Sequence, residues 1–237
     1  MGSRERIRRI YSRNQDEYDA YRTVGFSGRT FKRHRLDAFT RSLPDDPTNC
    51  RTLEVAAGTG VYTLPVLRRG FSLTAADVNQ NMLDVLRTKL AEEGLASRCT
   101  IRTEDLFELS FPDRCFDFVY CMSLLPRFSD LEDQRDGLLE LARVLDRGGR
   151  LVFNYRNRSC PTDLLGDGRG ATSSQIAEIL RAGGVGVIRE QGAGLVSLAH
   201  WRKLPQAALA LVNRVERALE DRPRLFRNIL VVAEKRA

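Results

Sequence analysis

Histidine is nearly absent from this chain, with only His34 and His200 in 237 residues, so a histidine-rich metal site cannot be assembled. Cysteine is sparse as well. Cys50, Cys99, Cys115, Cys121 and Cys160 make an odd number, and none stands in the C-x-x-C spacing that marks zinc or redox chemistry. They read as reduced, mostly buried thiols, and no metal is expected. No apolar run approaches the roughly 20 residues that cross a bilayer, and no basic-then-apolar leader opens the sequence. The expected compartment is the cytoplasm, with no membrane span. Repeats and low-complexity tracts are also missing.

The hydrophobic fraction of 42% and charged fraction of 29% are those of a folded globular chain, which excludes a disordered or collagen-like one. The length predicts one domain with a full hydrophobic core and a small cap. The net charge of +7 is uneven, because residues 4–41 hold eleven Arg/Lys against five acids. Such an arm can meet nucleic acid or anionic lipid, or be a solvated helix face beside an anionic substrate. No aromatic-interleaved RNA motif or recognition-helix pattern accompanies it, so nucleic acid is not the expected partner.

Residues 1–43 read as an N-terminal helical cap, with Ile7, Ile10, Tyr11, Tyr18 and Tyr21 near helical spacing. From residue 44 to 237 a βαβ rhythm sets in. Strands are predicted at Leu53–Ala57, Phe71–Ala76, Cys99–Thr103, Phe116–Cys121, Arg150–Tyr155, Val185–Glu190 and Arg227–Ala233. Helices are predicted at Gln80–Glu93, Leu131–Leu145, Ser173–Ala182 and Pro205–Glu220, the last within an insertion over about 197–222. Gly148-Gly149 reads as a tight helix exit. Right-handed crossovers then give a doubly wound α/β domain, a mostly parallel sheet with helices on both faces.

In such a sheet the ligand sits outside the carboxyl ends of the strands, where the first strand meets its glycine turn. Here that place is Leu53-Glu54-Val55-Ala56-Ala57-Gly58-Thr59-Gly60. Small residues at 56, 58 and 60 let a ligand approach the backbone, and the following helix is expected to present free N–H groups. A dinucleotide fold wants G-x-G-x-x-G, but the third site is Thr63, which disfavours nicotinamide.

Glu54-Val55-Ala56-Ala57-Gly58-Thr59-Gly60 resembles the first motif of class I S-adenosylmethionine-dependent methyltransferases, with Ala56 where many members have glycine. Phe116-Asp117-Phe118-Val119-Tyr120-Cys121 resembles the fourth-strand motif, and Leu141 to Leu151 the helix, turn and fifth strand. Tyr11 to Asp19 is similar to the aromatic-acidic covering helix of the quinone-biosynthesis branch. The resemblance implies a Rossmann-like seven-stranded mixed sheet whose last strand, in the Leu225–Arg236 run, is antiparallel.

It also implies a cofactor site for S-adenosylmethionine, with S-adenosylhomocysteine as product. Glu54, Ala56, Gly58, Thr59 and Gly60 form its turn. Asp77, followed by Val78, would accept both ribose hydroxyls, the alternative being a helix N-terminal acid. Met82 would pack on the adenine face or serve as a core methionine. Asp105 would accept the adenine amino group, with the Leu106 amide meeting the ring. Cys121 and Met122 would border the methionine part.

The cofactor carries its own activated methyl, so the protein has mainly to align a nucleophile and exclude water. A hydroxyl acceptor calls for a general base, and His200 is the candidate, with a structural role as the alternative. Tyr11, Tyr18, Tyr155 and Trp201 are candidate substrate-lining residues, each with packing as its alternative. The expected activity is methylation of oxygen, nitrogen or carbon in a small-molecule acceptor such as a natural product, lipid, quinone or sugar. The runner-up is an RNA or protein methyltransferase docking through the basic arm. The expected assembly is a monomer or homodimer.

Overall fold

The computed structural model describes residues 35–161, 170–192 and 206–236. Residues 35–40 are helical (α1). Then follow β1 (Thr52–Val55), α2 (Thr63–Arg68), β2 (Leu73–Asp77), α3 (Gln80–Glu92), β3 (Cys99–Thr103), β4 (Phe116–Cys121) and α4 (Leu131–Val144). The chain continues with β5 (Leu145–Arg156), α5 (Ser173–Ala182), β6 (Val185–Gly192), α6 (Gln206–Leu219) and β7 (Asn228–Lys235).

The seven strands form one sheet in the order β3-β2-β1-β4-β5-β7-β6. β1 to β5 pair in parallel. β7 is antiparallel to both β5 and β6, as the family resemblance implies. The order reverses beside β1, which places the crevice of an open α/β sheet above β1 and its neighbours β2 and β4.

Side chains alternate between two apolar layers. Leu53, Val55, Val119, Cys121, Leu151, Phe153 and Tyr155 face α4 and α5. Phe118, Tyr120, Met122, Val152 and Leu230 face the other layer, which holds Ala38, Phe39 and residues of α2 and α3. Phe39 is fully buried there, with its ring centroid 5.0 Å from those of both Tyr62 and Tyr120. The end of the N-terminal segment is thus packed into the body. Asn79 caps α3, accepting from the Asn81 and Met82 amides, and Thr172 with Gln175 forms a capping box on α5.

The Gly148-Gly149 pair sits elsewhere than its helix-exit reading. α4 ends at Val144, and the glycines lie inside β5, where the ladder jumps from Phe116↔Leu145 to Phe118↔Arg150. They form a bulge, because several residues of β5 oppose one of β4. A Cβ on Gly149 would stand 2.8 Å from the Asp146 carbonyl oxygen, so only glycine fits the bend. Residues 1–34, most of the expected cap, lie outside the described residues, as does 197–205 of the expected insertion; α6 occupies the remainder between β6 and β7.

Candidate functional site

The turn after β1 is built by its own hydrogen bonds. The Ala57 amide donates to the Ala76 carbonyl of β2 at 3.0 Å, and the Gly60 amide to the Ala57 carbonyl at 3.0 Å. The Gly58 amide donates to Asp77 Oδ2 at 2.8 Å. Beside the expected approach to the backbone and the free N–H groups of the following helix, the structure shows where the turn's own amides go. Those of 57, 58 and 60 are taken inside the protein, and α2 is only six residues long. What the turn offers is bareness. Gly58, at φ +55°, would have nothing within 4 Å of an added Cβ. Gly60 differs: at φ +88° its Cβ would stand 2.6 Å from Leu86 Cδ1. Gly58 opens the cradle, while Gly60 lets α3 pack beneath it.

Ala56 has φ +64°, in the left-handed region that suits glycine. The substitution noted in the sequence keeps the turn but strains it.

Asp77 ends β2, and its Oδ1 accepts the Asn79 amide at 2.9 Å. Burial raises its pKa from the ordinary carboxylate value, opposed by the Asn79, Gly58 and Val78 amides. A carboxylate has about four lone-pair positions, so these amides leave it capacity for a ligand. The following Val78 is exposed, and Met82 is buried in the first turn of α3. Asp105 stands just past β3, half-buried, with Oδ1 accepting the Phe107 amide at 3.2 Å. Leu106 is buried and its Cδ2 would lie 2.8 Å from a Cβ on Gly137, so its side chain packs against α4.

Three candidates turn inward. Glu54 is 1% exposed and accepts from Thr63 Oγ1 at 2.5 Å and from the Tyr120 hydroxyl at 3.0 Å. Burial pushes its carboxyl up to about 8. It belongs to a buried polar triad beneath the turn that ties β1, α2 and β4 together. The Cys121 side chain is fully buried in the α4/α5 layer, and burial pushes its thiol well up. Met122, in the other layer, is the side chain at that strand exit on the turn's face. Tyr155 is fully buried, with its hydroxyl 2.9 Å from Ser173 Oγ and donating to Glu190 Oε1 at 3.2 Å. It braces α5 against β6. Thr59 is also buried, and its carbonyl accepts Lys89 Nζ at 3.0 Å. His200, Tyr11, Tyr18 and Trp201 lie outside the described residues.

Sequence reading missed Asn154. It is buried, and its Oδ1 accepts the Ser123 amide at 2.6 Å, while Ser123 itself sits at φ +69°. An asparagine within the apolar run 151–155 was the available signal. Among the described residues no group of three or more His, Cys, Asp or Glu is placed to hold a metal ion. No described helix is long and apolar enough to cross a membrane.

Comparison with known proteins places this geometry. Residues 53–153 match a family described as methyltransferase domain. A demethylmenaquinone methyltransferase of Bacteroides fragilis is 34% identical over 103 residues, 43% of this chain and 41% of the relative. A phosphatidylethanolamine N-methyltransferase of Cereibacter sphaeroides is 37% identical over 103 residues, 44% and 49% of the two chains. A ubiquinone/menaquinone biosynthesis C-methyltransferase of Pseudomonas fluorescens is 30% identical over 153 residues, 62% and 57% of the two. The chain thus spans about half the length of these curated relatives. Among solved structures, the magnesium protoporphyrin IX methyltransferase of Synechocystis superposes with a TM-score of 0.69 at 16% identity, over 99% of this chain and 98% of that one. A [4+2]-cyclase shares the fold too, with a TM-score of 0.63 at 23% identity over 85% and 80% of the chains. Fold alone therefore does not name a reaction. With its motif-bearing turn, its sheet order and the methyltransferase domain matched over residues 53–153, the chain is similar to the class I S-adenosylmethionine-dependent methyltransferases.

Proposed function

We propose that this protein transfers the methyl group of S-adenosylmethionine to a small-molecule acceptor, releasing S-adenosylhomocysteine. The observation that carries the reading is the junction of Gly58 and Asp77: a turn with open space above it, hydrogen-bonded to an acid with spare lone pairs. This pair fits the group. A nucleoside needs close approach to backbone and a carboxylate for its ribose diol, and these stand side by side at the carboxyl ends of β1 and β2.

When bound, the cofactor supplies a methyl on a sulfonium, already activated for displacement. The chain's residues hold and orient it. Asp77 takes the ribose hydroxyls, Asp105 with the Leu106 amide takes the adenine edge, and Met82 packs near the ring. Met122 and the Cys121 backbone border the methionine part. Glu54 acts from below, fixing β1 to α2 and β4 through Thr63 and Tyr120. For a hydroxyl acceptor His200 is the candidate base; an acceptor with a stabilised carbanion needs alignment alone. Tyr11, Tyr18 and Trp201 remain candidates to line the acceptor side.

The names of the relatives, two quinone-pathway enzymes and one phospholipid enzyme, support a small acceptor over RNA or protein. The test is calorimetric titration with S-adenosylhomocysteine, paired with a labelled-methyl assay over extracted metabolites. Saturable binding that Asp77→Ala abolishes, with label appearing in a small molecule, is the expected result. No binding by the folded wild-type protein overturns the reading.

A further inference from the structure

A buried polar group without a hydrogen bond costs about 1–3 kcal/mol, so folded proteins leave few of them. Two side-chain amides do so in one row of this sheet. Asn154 on β5 and Gln191 on β6 are 1% and 3% exposed. Neither Asn154 Nδ2 nor Gln191 Nε2 has a hydrogen-bond partner among the described residues. Both residues pair with Leu230 of β7, Asn154 from one side and Gln191 from the other. Paired residues project from the same face, so the row reads donor, apolar, donor, with the outer strands about 10 Å apart. The Asn154 amide is oriented: its Oδ1 accepts the Ser123 N–H at 2.6 Å, which leaves Nδ2 as the unused donor.

The sheet order says what the row adjoins. Tyr120 pairs with Glu54 and with Val152, so two residues further on, Met122 and Asn154 lie on the face that carries Glu54. β5 and β6 are both antiparallel to β7, so both donors stand toward the carboxyl ends of strands that run the same way as β1. From the ribose acid outward the sequence of strands is β2 with Asp77, β1 with the bare turn, β4 with Met122, β5 with Asn154, and last, beyond β7, β6 with Gln191. The cofactor reading uses the first three. The unused donors begin on the next strand, about 14 Å across from β2.

We infer that Asn154 and Gln191 are binding residues for the methyl acceptor, and that the acceptor presents oxygen lone pairs on an apolar framework. The inference rests on the methyl-transfer reading. Two N–H donors satisfy hydroxyl, carbonyl or phenolate oxygens and stabilise negative charge that gathers on them, whereas a nucleophilic amine has a single lone pair, which it must give to the methyl carbon. Leu230 between them supplies the apolar contact, and the buried setting strengthens each hydrogen bond. The structure thereby favours an oxygen-bearing acceptor over an amine.

The experiment is calorimetry on the full-length protein saturated with S-adenosylhomocysteine, titrated with a naphthalenediol bearing one hydroxyl at each end. Asn154→Asp keeps the acceptor for Ser123 while removing the donor, and Gln191→Met keeps the side-chain length without it. Wild type is expected to bind the diol, and each variant to bind it about tenfold more weakly with S-adenosylhomocysteine affinity unchanged. Should Asn154→Asp fail to fold, Gln191→Met carries the test alone. Unaltered diol affinity in the folded variants overturns the inference, as does a wild type that binds phosphatidylethanolamine vesicles and not the diol. Loss of S-adenosylhomocysteine binding in the wild type would instead remove the methyl-transfer reading, and this inference with it.

Discussion

The Asp77 carboxylate accepts the Gly58 amide at 2.8 Å, and through that bond the acid ending β2 and the bare turn after β1 form one unit. Each part of the ligand cradle depends on the other. Asp77→Asn retains a carbonyl acceptor but sets an amide group against a backbone donor. It is expected to lower S-adenosylhomocysteine affinity tenfold to a hundredfold, about 1.5–3 kcal/mol for hydrogen bonds to a charged group. Calorimetry measures the affinity. A urea titration should show a smaller loss of stability, about 1–2 kcal/mol, from the loosened turn.

The two glycines of the turn should separate in their effects. Gly60→Ala drives a Cβ to 2.6 Å from Leu86 Cδ1 and is expected to cost about 1–3 kcal/mol of stability by overpacking. Gly58→Ala meets no neighbour, so it should cost about 1 kcal/mol through its backbone angle alone. Its larger effect should be on ligand affinity, because the methyl enters the space the nucleoside needs. Equal affinity in wild type and Gly58→Ala would move the binding site away from this turn.

Ala56 holds φ +64° with a Cβ in place. Ala56→Gly relieves that strain while adding freedom to the unfolded chain, for a net gain of about 0.5–1 kcal/mol, or about 1–3 °C in melting temperature. Ala56 also packs against the α4/α5 layer. A lower melting temperature in the glycine variant would mean that this packing outweighs the strain.

Glu54 should make stability fall with rising pH. Its folded-state pKa is pushed up to about 8 by burial. Between the ordinary carboxylate range and about 8, the folded chain therefore holds a proton that the unfolded chain has released. Stability is fully present below that window and declines through it, by at most about 1.4 kcal/mol per pH unit. Asp77, also raised by burial, adds a slope of the same sign. Glu54→Gln preserves an acceptor for Thr63 and Tyr120 without the titration. Urea midpoints at about pH 5.5 and about pH 8.5 should differ less in this variant than in wild type; an identical difference would exclude Glu54 as the source.

Local regularities carried much of the fold. The strands Cys99–Thr103 and Phe116–Cys121 and the helix Ser173–Ala182 have the ends that apolar runs and periodicity predict. Gly148-Gly149 was misplaced because a left-handed glycine serves a helix end and a bulge equally well, and only the partner strand distinguishes them.

By itself the sequence determined the alternation of strand and helix, the glycine turn, the acid at residue 77 and hence the likeness to methyltransferases. Those features reside in contiguous residues, where spacing alone dictates backbone geometry. Tertiary structure decided which hydrogen-bonding groups were already spent. It closed the turn's amides on Ala76 and Asp77, sank Glu54 beneath Thr63 and Tyr120, and turned the Cys121 side chain into the core. It also brought Asn154 and Gln191 to either side of Leu230 with their donors unspent. Burial and partner choice depend on segments distant along the chain, so they exist only once the sheet has assembled.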